Sequence, residues 1–175
     1  YMMDREEYQQ WFDGQHEKVR KKVLEDWGAF PGEGMAWNHE GKDVLLITGL
    51  KYGNIHIINQ PKRGCYGAKC TGEVCRILHD PELSPPHHWF ATYKYIRDNS
   101  DAVIHFGTEG ALEYLPGKQN GLSGCCFSEV SLGALPNFYI YVMDAIGEGM
   151  VAKRRGQATL VDHLGPVFSP AVLDD

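Results

Sequence analysis

Basic charge is in short supply in this chain. Seventeen lysines and arginines stand against 23 acids among 175 residues, for a net charge of -6. The basic residues gather only in two short runs, Lys18 to Lys22 (K-V-R-K-K) and Lys153-Arg154-Arg155. A nucleic acid or an anionic membrane surface calls for a clustered basic face, so neither is expected as a partner. Long apolar runs are missing too, and none approaches the ~20 residues needed to cross a bilayer. The opening, Tyr1-Met2-Met3-Asp4-Arg5-Glu6, lacks the basic-then-apolar order of a secretory leader. A start on Tyr reads as a piece of a longer protein. Cysteines are few and odd in number: Cys65, Cys70, Cys75, Cys125 and Cys126. With no leader, they read as reduced thiols in a cytoplasmic protein. Adjacent Cys125 and Cys126 would bridge each other only under strain. Repeats and low-complexity tracts are absent.

What is present is an ordinary globular composition, 43% hydrophobic, enough for a core. Tyr8, Trp11, Phe12, Val19, Val23 and Trp27 fall at helical spacing, which predicts one amphipathic helix from Asp4 to Trp27. Asp4 would cap it, with Glu7 three positions on. Pro31 to Gly34 reads as a linker, so residues 1–34 form an N-terminal helical arm and 35–175 the main portion. Asp43 to Thr48 and Asn54 to Asn59 read as strands around a turn at Tyr52-Gly53-Asn54. Pro61 to Glu73 reads as a loop. Ser84-Pro85-Pro86 predicts a helix start, with His87 to Asp98 following. Ala102 to Phe106 and Phe138 to Val142 read as strands, Glu148 to Arg155 as a helix, and Ala158 to Val161 as a strand or a continued helix. Alternating strands and helices imply an α/β fold with an open, at least partly parallel sheet flanked by helices.

Reactive groups concentrate between Asp101 and Gln119 (D-A-V-I-H-F-G-T-E-G-A-L-E-Y-L-P-G-K-Q). His105 closes an apolar strand, and open α/β sheets bind ligands outside their strands' carboxyl ends. A neutral imidazole there can accept a proton or ligate a metal; the plainer alternative is a histidine bonded to the following turn. Glu109 and Glu113, four apart, share a face if that segment is helical. They can then work as an acid–base pair, or simply lie solvated at a helix start. His87 and His88 point about 100° apart on a helix, too far to share one metal. His79-Asp80 adds a further possible ligand. Cys65, Cys70 and Cys75 match no standard zinc spacing; they are either buried thiols or holders of a metal or iron–sulfur cluster. Lys153, Arg154 and Arg155 can fork onto carboxylates of an acidic ligand, or form a solvated face. Phe138, Tyr139 and Tyr141 alternate as cross-strand packing does.

These motifs come together in one resemblance. P-P-H-H (Pro85 to His88), the Asp101–Gln119 segment, G-L-S (Gly121 to Ser123), L-P-N-F-Y (Leu135 to Tyr139), G-E-G-M-V-A-K-R-R (Gly147 to Arg155) and V-D-H-L-G-P (Val161 to Pro166) are similar, in order and spacing, to the CobN/magnesium-chelatase large-subunit family. The resemblance spans residues 43–166. Family members are much longer, so it implies a fragment of such a subunit. It implies insertion of Co2+ (cobalamin pathway) or Mg2+ (chlorophyll pathway) into a tetrapyrrole held by this subunit, with ATP used by separate AAA+ ATPase partners. At the turn after His105 the family reads H-F-G-T-H-G, and Glu109 here replaces the second histidine; a carboxylate suits harder cations than an imidazole does.

Metal insertion requires the ring's inner N–H protons to leave, which a nearby base and weak, releasable ligands would speed. On this reading Glu113 and His105 are the base or transient metal ligands, with Glu109 and His87 or His88 secondary. Lys118, Gln119, Lys153, Arg154 and Arg155 would hold the ring's periphery. His105 and Glu113 are expected to converge on one water-reachable, ring-sized hollow. Two alternatives stand beside it: a non-catalytic tetrapyrrole-binding module or scaffold, and a metal or iron–sulfur protein built on the Cys65-Cys70-Cys75 loop.

Overall fold

Tyr8, Phe12, Val19 and Val23, the apolar stripe of the first helical segment, are all buried. The computed structural model describes residues 1–32, 34–64, 80–107, 110–141 and 146–162. The stripe is carried on two helices, α1 (Arg5–Asp13) and α2 (Glu17–Trp27), where the spacing predicts one. Asp4 caps α1 as expected, its side chain accepting the Glu7 N–H at 2.8 Å. Gly14 then ends α1, and His16 accepts the Lys18 N–H at the start of α2. A glycine followed by a residue able to cap supplies a stop and a new start in the middle of an apolar repeat.

Beyond these helices the described residues build three sheets. Strand β1 (Met2–Asp4) lies beside β3 (Lys42–Leu46), which also pairs with β2 (Ala36–His39); all are antiparallel, in the order β1-β3-β2. The expected turn at Gly53 is present. It joins β4 (Leu50–Tyr52) to β5 (Ile55–Ile57) in a separate hairpin and does not join β3 to β5. A two-residue Gly-Asn loop suits a tight hairpin, so the segment folds on itself. The third sheet is parallel: β6 (Val103–Phe106), β7 (Asn137–Tyr141) and β8 (Thr159–Asp162), in the order β6-β7-β8.

Helix α3 (His87–Asn99) begins after Pro86, as the proline signal predicts. Ser84 does not cap it; its N–H and hydroxyl both donate to Asp26, at 2.9 and 2.7 Å. A short 3-10 turn (Leu112–Tyr114), α4 (Phe127–Leu132) and α5 (Ile146–Arg155) complete the elements among the described residues. The main core joins Tyr8, Phe12, Val19 and Val23 to Leu45, Trp89, Phe90, Leu112 and Phe127. The N-terminal helices are thus packed into the interior shared with α3. A smaller cluster of Tyr139, Ala152 and Ala158 seats α5 on the parallel sheet. Among the described residues, no helix is long and apolar enough to cross a membrane. Cys65, Cys70, Cys75, His79 and Glu109 lie outside the described residues.

Candidate functional site

Alternation along β6 turns Val103 and His105 toward α3, while Ile104 and Phe106 face away. His105 Nδ1 lies 2.7 Å from Asn137 Oδ1 on β7, and Nε2 lies 3.1 Å from the Tyr93 hydroxyl on α3. Both ring nitrogens thus meet neighbouring elements, β7 and α3. Asn137 Nδ2 donates to the Gly156 carbonyl at 2.7 Å. That bond turns the amide oxygen toward His105, so Nδ1 carries the proton and Nε2 the acceptor lone pair. Gln60 extends the network, donating to Tyr93 at 2.9 Å and accepting the Ala111 N–H at 2.8 Å. Burial pushes the His105 pKa below the ordinary imidazole value, against the opposing pull of Asn137.

Tyr139, next along β7 on the same face, stands between this histidine and a pair of glutamates. Its ring centroid is 6.2 Å from that of His105. Its hydroxyl lies 3.2 Å from Glu113 Oε1 and 2.5 Å from Glu148 Oε1, and accepts the Gly110 N–H at 3.1 Å. Burial raises the Glu113 pKa above the ordinary carboxylate value; the nearby Glu148 charge adds to this, while Tyr139 and Arg155 oppose it. Among the described residues, the carboxylate partner of Glu113 is therefore Glu148, from α5. The sequence pattern marks residue 148 only as the start of a helix; the G-E-G sequence before the basic run is its one visible signal.

The expected single hollow is divided. A groove of about 940 Å³ runs between the β4–β5 hairpin, the end of α3 and β6, with Lys51, His56, Gln60, Tyr93 and His105 in its walls. Glu113 is 2% exposed and lies outside those walls, behind Tyr139. His105 faces the groove; Glu113 is sealed beneath it. Among the described residues no three His, Cys, Asp or Glu side chains are grouped to hold a metal ion, so His105 and Glu113 do not by themselves form a ligand set.

The other candidate residues separate. His87, expected in a secondary role at the site, is 1% exposed: Nδ1 lies 2.8 Å from the Tyr8 hydroxyl and Nε2 2.9 Å from the Gly28 carbonyl. His88 is buried, with Nε2 2.8 Å from the Leu46 carbonyl. Both are core residues that tie α3 to the N-terminal helices and the antiparallel sheet, and burial lowers both pKa values. Lys153 and Arg154 are exposed, but Arg155 turns inward and donates to the Leu115 carbonyl. The three cations do not make one patch, because a helical step of about 100° per residue sends the third toward the core. Lys118 and Gln119 are exposed on the loop before α4. In that loop the Lys118 and Ser123 N–H groups point at Cys126 Sγ, at 3.5 and 3.4 Å. Burial works to raise that thiol's pKa, but these donors and the Ser123 hydroxyl bring it below the ordinary value.

The whole chain, residues 1–175, matches the family model described as CobN/Magnesium Chelatase. It is 47% identical over 179 residues to an uncharacterised protein of Methanocaldococcus jannaschii, covering 100% of this chain and 15% of that protein. It is 39% identical to the chloroplastic magnesium-chelatase subunit ChlH of Oryza sativa, over 81% of this chain and 10% of the relative. The catalytic subunit of cobaltochelatase from Mycobacterium tuberculosis superposes with a TM-score of 0.82 at 36% identity, covering 93% of this chain and 14% of that structure. The chain thus spans between about a tenth and a seventh of the length of the relatives it matches.

Proposed function

Because the chain belongs to the CobN/magnesium chelatase family, we propose that it is part of the large, tetrapyrrole-binding subunit of an enzyme that inserts Co2+ or Mg2+ into a tetrapyrrole ring. Partner ATPases of the AAA+ class would use ATP to drive the insertion, in the cytoplasm. The observation that carries this reading is the His105–Tyr139–Glu113 cluster on the covered face of the parallel sheet, beside a groove of about 940 Å³. That volume lies at the upper end of the ~300–1,000 Å³ usual for ligand sites, as a large flat ring requires.

In this reading the ring lies in the groove against the apolar hairpin. The inner N–H protons must leave before the metal substrate can enter the four-nitrogen plane. His105 Nε2 offers an acceptor lone pair at the groove, with Tyr93 releasing its own hydrogen bond to admit the proton. Glu113 and Glu148, joined through the Tyr139 hydroxyl, form the basic reserve behind it. Glu109, four positions after His105 in the sequence, is the further carboxylate for the incoming cation. Lys118, Gln119, Lys153 and Arg154 are placed in solvent, free to meet peripheral carboxylates.

The test is Glu113→Gln in the intact subunit with its ATPase partners and metal, following the loss of free-ring absorbance. Insertion should cease while tetrapyrrole binding and folding persist. Normal turnover would remove Glu113 from the chemistry. One observation favours a second reading, a tetrapyrrole carrier without chemistry of its own: both His105 nitrogens are bonded within the protein, and Glu113 is sealed. Ring binding by the intact subunit with no metal insertion under any partner combination would support that reading.

A further inference from the structure

Among the described residues, the parallel sheet is covered on one face only. Burial alternates strictly along β6 and β8, and on β7 Asn137 and Tyr139 are buried while Phe138 is not. The register sets Ile104 beside Phe138, Phe106 beside Ile140, and Ile140 beside Val161. These five side chains form one continuous apolar surface opposite the face that carries His105 and Tyr139. Phe106 is 85% exposed and Ile104 61%. Such a pattern is at odds with the sheet type: parallel strands are almost always buried on both faces. An apolar patch across three strands marks an interaction surface.

Two facts choose the occupant. Burial on both faces is the ordinary state of a parallel sheet within one polypeptide, where helices of the same chain form the second layer. And relatives of this chain are about seven times its length, so ample polypeptide exists to supply that layer. We propose that the Ile104–Phe106–Phe138–Ile140–Val161 face is the packing surface for helices from another part of the same long subunit. Ile104 and Phe106 also border the 940 Å³ groove, so the same layer would meet the groove along its β6 rim. This deepens the chelatase reading and rests on it for the existence of the longer subunit.

Hydroxyl-radical footprinting of the unsubstituted full-length subunit, alone and without metal, ring or ATPase, tests this directly. Oxidation at Phe106 and Phe138 should be at least about tenfold slower in the native than in the unfolded protein, at every protein concentration. Alkylation of a Phe106→Cys variant of the full-length subunit should show the same protection. Ready oxidation of these side chains in the native subunit would overturn the proposal. So would protection that fades on dilution (a second copy), that needs the ATPase subunits, or that needs the tetrapyrrole. The readout needs no turnover. A subunit inactive in metal insertion but protected here would sink the chelatase reading alone; an active subunit with an open face would sink this inference alone.

Discussion

His105 Nδ1 and Asn137 Oδ1 are 2.7 Å apart, and this bond selects the working nitrogen of the imidazole. The amide cannot rotate without breaking its bond to Gly156. Its oxygen therefore stays on Nδ1, and Nε2 is left as the basic atom beside the groove.

A carboxylate in place of that amide should hold the imidazolium. In Asn137→Asp the His105 pKa should rise, since an opposite charge favours the charged ring; an NMR titration of the imidazole reads it. Asn137→Leu leaves Nδ1–H and the Gly156 carbonyl unpaired and should cost about 1–3 kcal/mol in urea denaturation.

Stability should fall as the solution is acidified. His87, His88 and His105 all have folded-state pKa values below the ordinary imidazole value, chiefly through burial. The unfolded chain therefore binds protons that the folded one refuses. Their contribution is complete above about pH 6.5 and is lost as pH falls toward the depressed folded values. The slope should approach about 1.4 kcal/mol per pH unit for each such histidine. Urea midpoints across this range check it, and His88→Gln should remove its share of the slope.

Tyr8→Phe removes the hydroxyl that meets His87 Nδ1 inside the core. A buried ring nitrogen without a partner costs about 1–3 kcal/mol, so thermal and urea midpoints should both drop. The groove-side His105 titration should stay unchanged, because Tyr8 is not bonded to that network.

Gly110 sits against the Glu113 carboxylate: a Cβ there would come within 3.1 Å of both carboxylate oxygens. Gly110→Ala should displace the carboxylate by a few tenths of an ångström from Tyr139. In the intact subunit with its partners, metal insertion should fall about ten- to a hundredfold through misplacement, with the affinity for the ring preserved. Unchanged insertion would show that the position of Glu113 does not matter.

Local rules suffice where one element decides the outcome. Asp4 caps, Pro86 precedes a helix, and the apolar runs that begin at Ala102 and Phe138 hold strands, because each depends on residues within a turn or two of itself. They fail where another element decides. The P-P-H-H motif looks reactive, yet α1 and α2 close over His87, and only the assembled core makes it structural. Glu148 is invisible in sequence as the partner of Glu113 because strand parity shows which face Tyr139 occupies, not which distant helix its hydroxyl meets. The same parity, read on β6, does place His105 on the covered side.

Helices α1 and α2 and strand β1 line the interior that α3 shares with the antiparallel sheet. Excising the first thirty-odd positions to obtain a minimal unit from the longer family members would strip one wall from Trp89 and Phe90 and leave β3 with a bare edge. The remnant would be sticky and loosely packed, prone to clump before any chemistry could be assayed. Useful dissections of those large subunits should keep Met2–Trp27 joined to the α3 region.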